Sequence, residues 1–275
     1  MNGKGKNYVI IVLYPNNKHN KRGKLGMEEC FVRGKTLPEA YHLALRELFE
    51  KGDVLSCNDW DTRQKEVSMT FVAEEAMGEP MISMFWIGGP RELQQYKMEI
   101  LDGILDFEIG HENKWEYTYH ARFAHQLPFI ISELKRNPDT RRAIMNIRDF
   151  EVDSANTHPA CLQSMQFFIR EGKLHQKVMM RSNDAAEATF MNAFAFIMLQ
   201  EKIAKEVGVP VGSYTHRANS FHCYEKDFER LEGYIKGMER PIDKQTFEYE
   251  GYFKEMMEEY IPELLEMVEE LKERV

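Results

Sequence analysis

Between residues 159 and 192 the chain sets a lone cysteine, an arginine and an amide at separations that could build a nucleophilic site. Pro159-Ala160-Cys161 leads into a strand-like run ending at Arg170, Glu171-Gly172 reads as a two-residue turn, and Lys173 starts a second run that reaches Asp184. That pattern predicts a β-hairpin. Counting back from the turn puts Cys161 opposite Ser182 and Leu162 opposite Arg181, so a guanidinium lies beside a thiol. A neighbouring positive charge favours the thiolate, the form that attacks as a nucleophile. Asn192 interrupts the apolar run Phe190 to Leu199. A buried amide must be hydrogen-bonded, and its paired donor and acceptor suit the edge of a heterocyclic base. Arg141-Arg142 precede another apolar run, and paired guanidiniums recognise phosphate bidentately. Asp184-Ala185-Ala186-Glu187 also fits a capping box opening the helix that holds Asn192, so Asp184 could be an N-cap alone.

The remaining candidates are weaker. Cys30, Cys57 and Cys223 form no C-x-x-C pair and read as small apolar residues. The nine histidines show no ligand spacing, so no metal site is expected. Net charge is -9, which argues against a nucleic-acid binder, because phosphate contacts need a basic field. Apolar runs such as Tyr8 to Tyr14 and Ala193 to Leu199 are far shorter than the roughly 20 residues of a bilayer span. With no signal-like segment either, a cytoplasmic location and no membrane partner are expected.

The elements that must position these residues are mixed along the chain. Tyr8 to Tyr14, Lys65 to Val72 and Pro80 to Trp86 read as strands, while Leu37 to Lys51, Arg91 to Leu105 and Leu127 to Lys135 read as helices. Thr36 is the expected N-cap of the first helix and Gly52 its end. No regular strand-helix alternation appears and no G-x-G-x-x-G follows a strand, so the class is α+β in a single domain and not a doubly wound nucleotide fold. Residues 1–24 make a basic N-terminal segment with a short strand, 25–242 the main domain, and 243–275 an acidic amphipathic helix, broken or restarted at Pro262 and docked on its own domain.

Taken together, Pro159-Ala160-Cys161, Gln166-Phe167, Arg181-Ser182-Asn183-Asp184, Asn192 eight residues after that aspartate, and His222-Cys223-Tyr224 resemble the thymidylate synthase superfamily, which includes the deoxypyrimidine nucleotide hydroxymethylases. The likeness extends through Arg141-Arg142, Tyr117-Thr118-Tyr119 and Arg91-Glu92-Leu93. It implies a mixed sheet packed by helices and a homodimer formed through the sheet. It also implies covalent catalysis, with Cys161 adding to carbon 6 of a pyrimidine nucleotide and methylenetetrahydrofolate supplying carbon to carbon 5. By the same resemblance Glu92 and Tyr119 handle protons, while Arg181, Ser182 and more loosely Arg63 bind phosphate. Arg141 and Arg142 reach the neighbouring subunit's phosphate site, His222 and Tyr224 hold the ribose, and Asp184 meets the pterin. Asparagine at 192 favours dUMP over dCMP, giving dTMP and dihydrofolate. The alternatives are a hydroxymethylase acting on dUMP or a cytidine nucleotide (dCMP or CMP), with water replacing hydride, and a nucleotide-binding relative without catalysis. The chain departs from the family pattern at Arg148-Asp149, His120 and Leu162, and in its acidic C-terminal helix.

Overall fold

A computed structural model of the chain describes residues 27–110 and 116–274. The strand expected over Tyr8 to Tyr14 lies outside the described residues, with the rest of the basic segment. The described strands are β1 (Glu29–Gly34), β2 (Asp53–Cys57), β3 (Thr62–Ala73), β4 (Ile82–Ser83), β5 (Ile144–Asn146), β6 (Leu162–Arg170), β7 (Lys173–Asp184), β8 (Val211–Tyr224) and β9 (Thr246–Phe247). The helices are α1 (Leu37–Lys51), α2 (Pro90–Asp102), α3 (Tyr119–Phe123), α4 (Leu127–Arg136), α5 (Phe150–Asp153), α6 (Thr189–Val207), α7 (Phe228–Gly237), α8 (Lys254–Glu259) and α9 (Ile261–Lys272).

Seven strands make the main sheet in the order β1-β3-β8-β7-β6-β5, with β2 pairing the other half of β3. The pairs β1/β3 and β7/β8 are parallel and the rest antiparallel, so the sheet is mixed and the class α+β, as the absence of strand-helix alternation implied. Because side chains alternate along a strand, adjacent cross-strand rows face opposite sides. One row runs Phe71, His216, Val178, Met165, Met145 and is buried, under α1 and α6. The next runs Phe31, Thr70, Arg217, Met179, Ser164, Asn146, and there Phe31 and Met179 are exposed.

α1 forms where the spacing predicts it. Leu37, Ala40, Tyr41, Ala44, Leu45 and Leu48 make one fully buried stripe. Thr36 precedes it in extended conformation without a side-chain cap; the Glu39 carboxylate reaches back to the Lys35 N–H instead, at 2.6 Å. α6 differs in kind, because it is apolar on nearly every side and buried from its first turn almost to its end. Its Gln200 amide donates to the carbonyls of Leu174 (2.7 Å) and Ser213 (3.1 Å), which ties the helix to β7 and β8.

Two expected boundaries move. The strand expected over Pro80 to Trp86 shrinks to the two residues of β4, paired with β9, because the Ser83 hydroxyl takes the Phe85 N–H at 2.9 Å and turns the chain. The helix expected to reach Leu105 stops at Asp102, where Gly103 adopts a left-handed φ of 64° that a side chain resists. The C-terminal stretch contains β9 and then two helices, with Pro262 in the first turn of α9. Met257, Leu264 and Val268 are buried, and Arg91 of α2 pairs with Glu263 at 2.7 Å. The acidic helix therefore packs on its own domain, against α2.

Candidate active site

The β6–β7 hairpin positions Cys161, the expected nucleophile. Glu171 and Gly172 take positive φ values of 50° and 72°, the geometry of a tight two-residue turn. Pairing then runs regularly from Arg170↔Lys173 to Ser164↔Met179, and there it slips: Leu162 pairs with Met180. Gln163 is the extra residue, a β-bulge, and the register counted from the turn is off by one beyond it. Arg181, not Ser182, falls level with Cys161, and its N–H donates to the Cys161 carbonyl at 2.8 Å. The bulged residue is itself pinned, since the Gln163 amide donates to the carbonyls of Ala160 (2.8 Å) and Cys161 (3.3 Å).

The slip sets Arg181 level with Cys161. Arg181 donates through Nε to the Ala160 carbonyl (3.2 Å) and through a terminal nitrogen to the Pro159 carbonyl (2.7 Å), so it grips the loop that carries Cys161. Cys161 is half-buried. Burial pushes its thiol above the ordinary value while the Arg181 charge pulls it down, and burial prevails. Arg181 thus acts on the thiol in the expected direction, lowering it, against the larger opposing effect of burial. Cys30 and Cys223 are packed in the core and burial pushes both thiols up to about 12, as suits inert residues.

Beside this loop opens a cleft of about 460 Å³, walled by Tyr96, Glu99, Tyr117, Tyr119, His158 and Asn192 among others. The Tyr119 hydroxyl accepts the Leu162 N–H at 3.4 Å, which places it one residue from Cys161. Asn192, in the first turn of α6, is 5% exposed, and its Oδ1 accepts a hydrogen bond from the Tyr96 hydroxyl. On β8, His222 is buried, with Nδ1 3.4 Å from Ser182 Oγ. Burial lowers its value to about 4, which keeps the ring neutral. The Tyr224 ring lies edge-on to it at 4.8 Å.

Other expected site residues stand apart from the cleft. Glu92 is exposed, and its carboxylate caps α2 by accepting the Gly89 N–H at 2.9 Å. Arg63 is exposed and forms a bidentate pair with Glu225, so its guanidinium is already occupied. Arg141 and Arg142 are exposed just before β5. Asp184 Oδ1 accepts from the N–H groups of Ala186 (2.9 Å) and Glu187 (3.0 Å), yet α6 begins only at Thr189. The capping box is thus a turn ahead of the helix. Burial raises the Asp184 carboxyl to about 6, despite those two N–H donors. Asp184, Glu187 and Asp227 cluster closely enough to hold an ion, but Lys226 and Arg230 already pair with Glu187 and Asp227.

Two cleft residues, Glu99 and His158, and Trp60 beside one of them escaped sequence reading. Glu99 lies two helical turns beyond Glu92 on the same face of α2, roughly 10 Å along the axis, and burial raises its carboxyl. A glutamate between Tyr96 and Ile100, at core-facing positions, was the available signal. His158 and Trp60 stack with ring centres 5.2 Å apart and planes 8° apart, joining segments distant in sequence, so no local pattern reveals them.

Fold and site together define a class, proteins with a half-buried cysteine beside a cleft at the end of a mixed sheet. The thymidylate synthase family model matches residues 87–264, and the chain belongs to that family. It is a one-carbon transferase of nucleotide biosynthesis, and family enzymes use methylenetetrahydrofolate as co-substrate. A protein named "Putative thymidylate synthase" from Methanocaldococcus jannaschii is 32% identical over 214 residues, covering 74% of this chain and 95% of that one. Thymidylate synthase 1 of Bacillus spizizenii is 31% identical over 142 residues, 50% of this chain and 49% of the relative. The fold matches thermostable thymidylate synthase A from Bacillus subtilis with a TM-score of 0.58 at 18% identity, over 73% of this chain and 84% of that one.

Proposed function

We propose that the protein transfers a one-carbon unit from methylenetetrahydrofolate to carbon 5 of dUMP, releasing dTMP and dihydrofolate. The observation that carries this reading is the half-buried Cys161, gripped by Arg181 and flanked by Tyr119, beside a cleft that presents a buried asparagine amide. The sulfur bonds to carbon 6, and the electron pair of the ring double bond passes to carbon 5 and its neighbouring carbonyl. Carbon 5 then bonds to the incoming carbon. Loss of the carbon 5 proton, with cleavage of the bond between the transferred carbon and the folate nitrogen, leaves a methylene on the ring; hydride from the reduced folate adds to that methylene as the sulfur departs from carbon 6, giving the methyl group and dihydrofolate.

Arg181 and Ser182 bind the phosphate in this reading, His222 and Tyr224 the ribose, and Asn192 the base. Tyr119 handles a proton. Glu99 takes the carboxylate role first expected of Glu92, because it faces the cleft while Glu92 is committed to capping. The tyrosine walls of the cleft suit flat ring systems; the half-buried Asp184 carboxyl, which lies outside that lining, remains the proposed pterin partner on the strength of the resemblance. No helix among the described residues is long and apolar enough to cross a membrane, and we place the reaction in the cytoplasm.

The second copy in this reading docks on the sheet face that bears Phe31 and Met179, with Arg141 and Arg142 reaching the partner's phosphate. Met179→Asp should then turn a dimer into a monomer in sedimentation and abolish turnover; an unchanged dimer would remove the sheet face from the interface. For the reaction itself, dUMP or dCMP labelled with tritium at carbon 5 is mixed with enzyme and methylenetetrahydrofolate. Tritium release from dUMP with dihydrofolate accumulating supports the synthase. Release without dihydrofolate identifies a hydroxymethylase, and no release from either nucleotide refutes the reading.

A further inference from the structure

We propose that Tyr96 is a specificity-determining positioning residue: its hydroxyl fixes which end of the Asn192 amide faces the bound base. The inference rests on the reaction proposed above and extends it to a residue on a different helix. Both side chains line the cleft, Tyr96 from α2 and Asn192 from the first turn of α6, and those helices pack against each other. The Tyr96 hydroxyl donates to Asn192 Oδ1, and among the described residues Asn192 Nδ2 has no hydrogen-bond partner.

A primary amide can sit in either of two orientations related by a half-turn, nearly equal in shape but opposite in hydrogen-bonding sense. Without a second group to bias it, Asn192 would present its oxygen or its nitrogen to a ligand with similar ease. Tyr96 supplies that bias. Tyr96 is half-buried at the cleft wall, and the orientation with Oδ1 toward it gives the hydroxyl proton an acceptor; the flipped amide would turn the hydroxyl into an acceptor and leave its proton without a partner in the protein. Burial keeps the phenol protonated, so the donor persists across the working pH range.

With Oδ1 held by Tyr96, Nδ2 is the atom offered to the base. A uracil presents a carbonyl oxygen at carbon 4 and accepts from Nδ2. Cytosine presents an amino group there, donor against donor, and leaves both unpaired. Asn192 makes the contact, and Tyr96 removes the alternative orientation that would let the same residue accept cytosine.

The test measures kcat/KM for tritium release from dUMP and from dCMP. Tyr96→Phe removes only the hydroxyl. The dUMP-to-dCMP preference should fall by about tenfold or more, because the amide is freed to turn. The control is the same change in an Asn192→Asp background, where the carboxylate has two like oxygens and no orientation to fix; there Tyr96→Phe should leave the preference unchanged. A general packing defect would move the ratio alike in both backgrounds. If Tyr96→Phe does not fold, Tyr96→Met, also without a hydroxyl, takes its place. Wild-type turnover with an unchanged ratio in the hydroxyl-free variant overturns the positioning role alone, whereas a wild type silent toward both nucleotides overturns the underlying reaction as well.

Discussion

The two ends of the β6–β7 ribbon are built from the same strands and behave differently. At the turn end, pairing is regular from Arg170↔Lys173 inward, side chains alternate strictly, and Glu171-Gly172 closes the loop in the open. At the other end Gln163 breaks the ladder, Arg181 turns back on the loop of Pro159 and Ala160, and Cys161 is left half-buried beside the cleft. Regular pairing satisfies every backbone group locally and leaves little to aim. The bulge re-aims a side chain, with its loosened backbone held by a glutamine amide and a guanidinium. The regular ladder lies at one end of the ribbon and the proposed site residues at the other.

That contrast can be broken or sharpened by substitution. The largest effect should come from Arg181→Gln. It deprives the Cys161 loop of two hydrogen bonds and removes the charge that opposes burial of the thiol, so kcat/KM should fall by about a hundredfold or more. Alkylation of Cys161 by iodoacetamide should also move to higher pH, because loss of the cation raises the thiol further. An unshifted alkylation profile would show that the guanidinium does not act on the sulfur.

A middling effect is expected at the last residue of β7. The folded Asp184 carboxyl, near 6, binds its proton more tightly than an unfolded aspartate at 3.8. Its favourable contribution is therefore complete below pH 3.8 and is lost as the pH rises through about 6. Asp184→Asn keeps an oxygen for the Ala186 and Glu187 N–H groups and removes the half-buried charge. Stability at pH 7 should rise by about 1–3 kcal/mol, with the gain vanishing below pH ~4 in chemical denaturation. A gain that is independent of pH would contradict the burial account. The smallest effect belongs to the turn: Glu171→Gly relieves a left-handed φ of 50° and should stabilise by about 1 kcal/mol with turnover untouched. A loss of activity there would couple the two ends of the ribbon.

The same contrast governs what the sequence reveals. The turn, the regular half of the hairpin and the stripe of α1 follow from turn chemistry and periodicity, and they lie where the pattern places them. The bulge leaves no periodic trace, because one extra residue changes the register without changing composition; counting from the turn thus put Cys161 opposite Ser182. β8, the longest strand, does not read as one, since its inward positions include Gly212, His216 and Ala218 and its alternation is faint. Within the site, Cys161, Arg181 and Asn192 were legible as residue types out of place. Glu99 was hidden as a charge on an otherwise core-facing stretch, and the stacking of Trp60 on His158 exists only in three dimensions.

The central claim is that the Cys161 sulfur bonds to carbon 6 of the nucleotide ring. A dUMP analogue with fluorine at carbon 5 has no proton there to lose, so the reaction should halt with protein, nucleotide and folate joined. Mass spectrometry of the digested complex is predicted to find the combined mass of both ligands on the peptide bearing Cys161, and none in Cys161→Ala. An adduct on another residue, or no adduct in a protein that still turns over dUMP, would contradict the account.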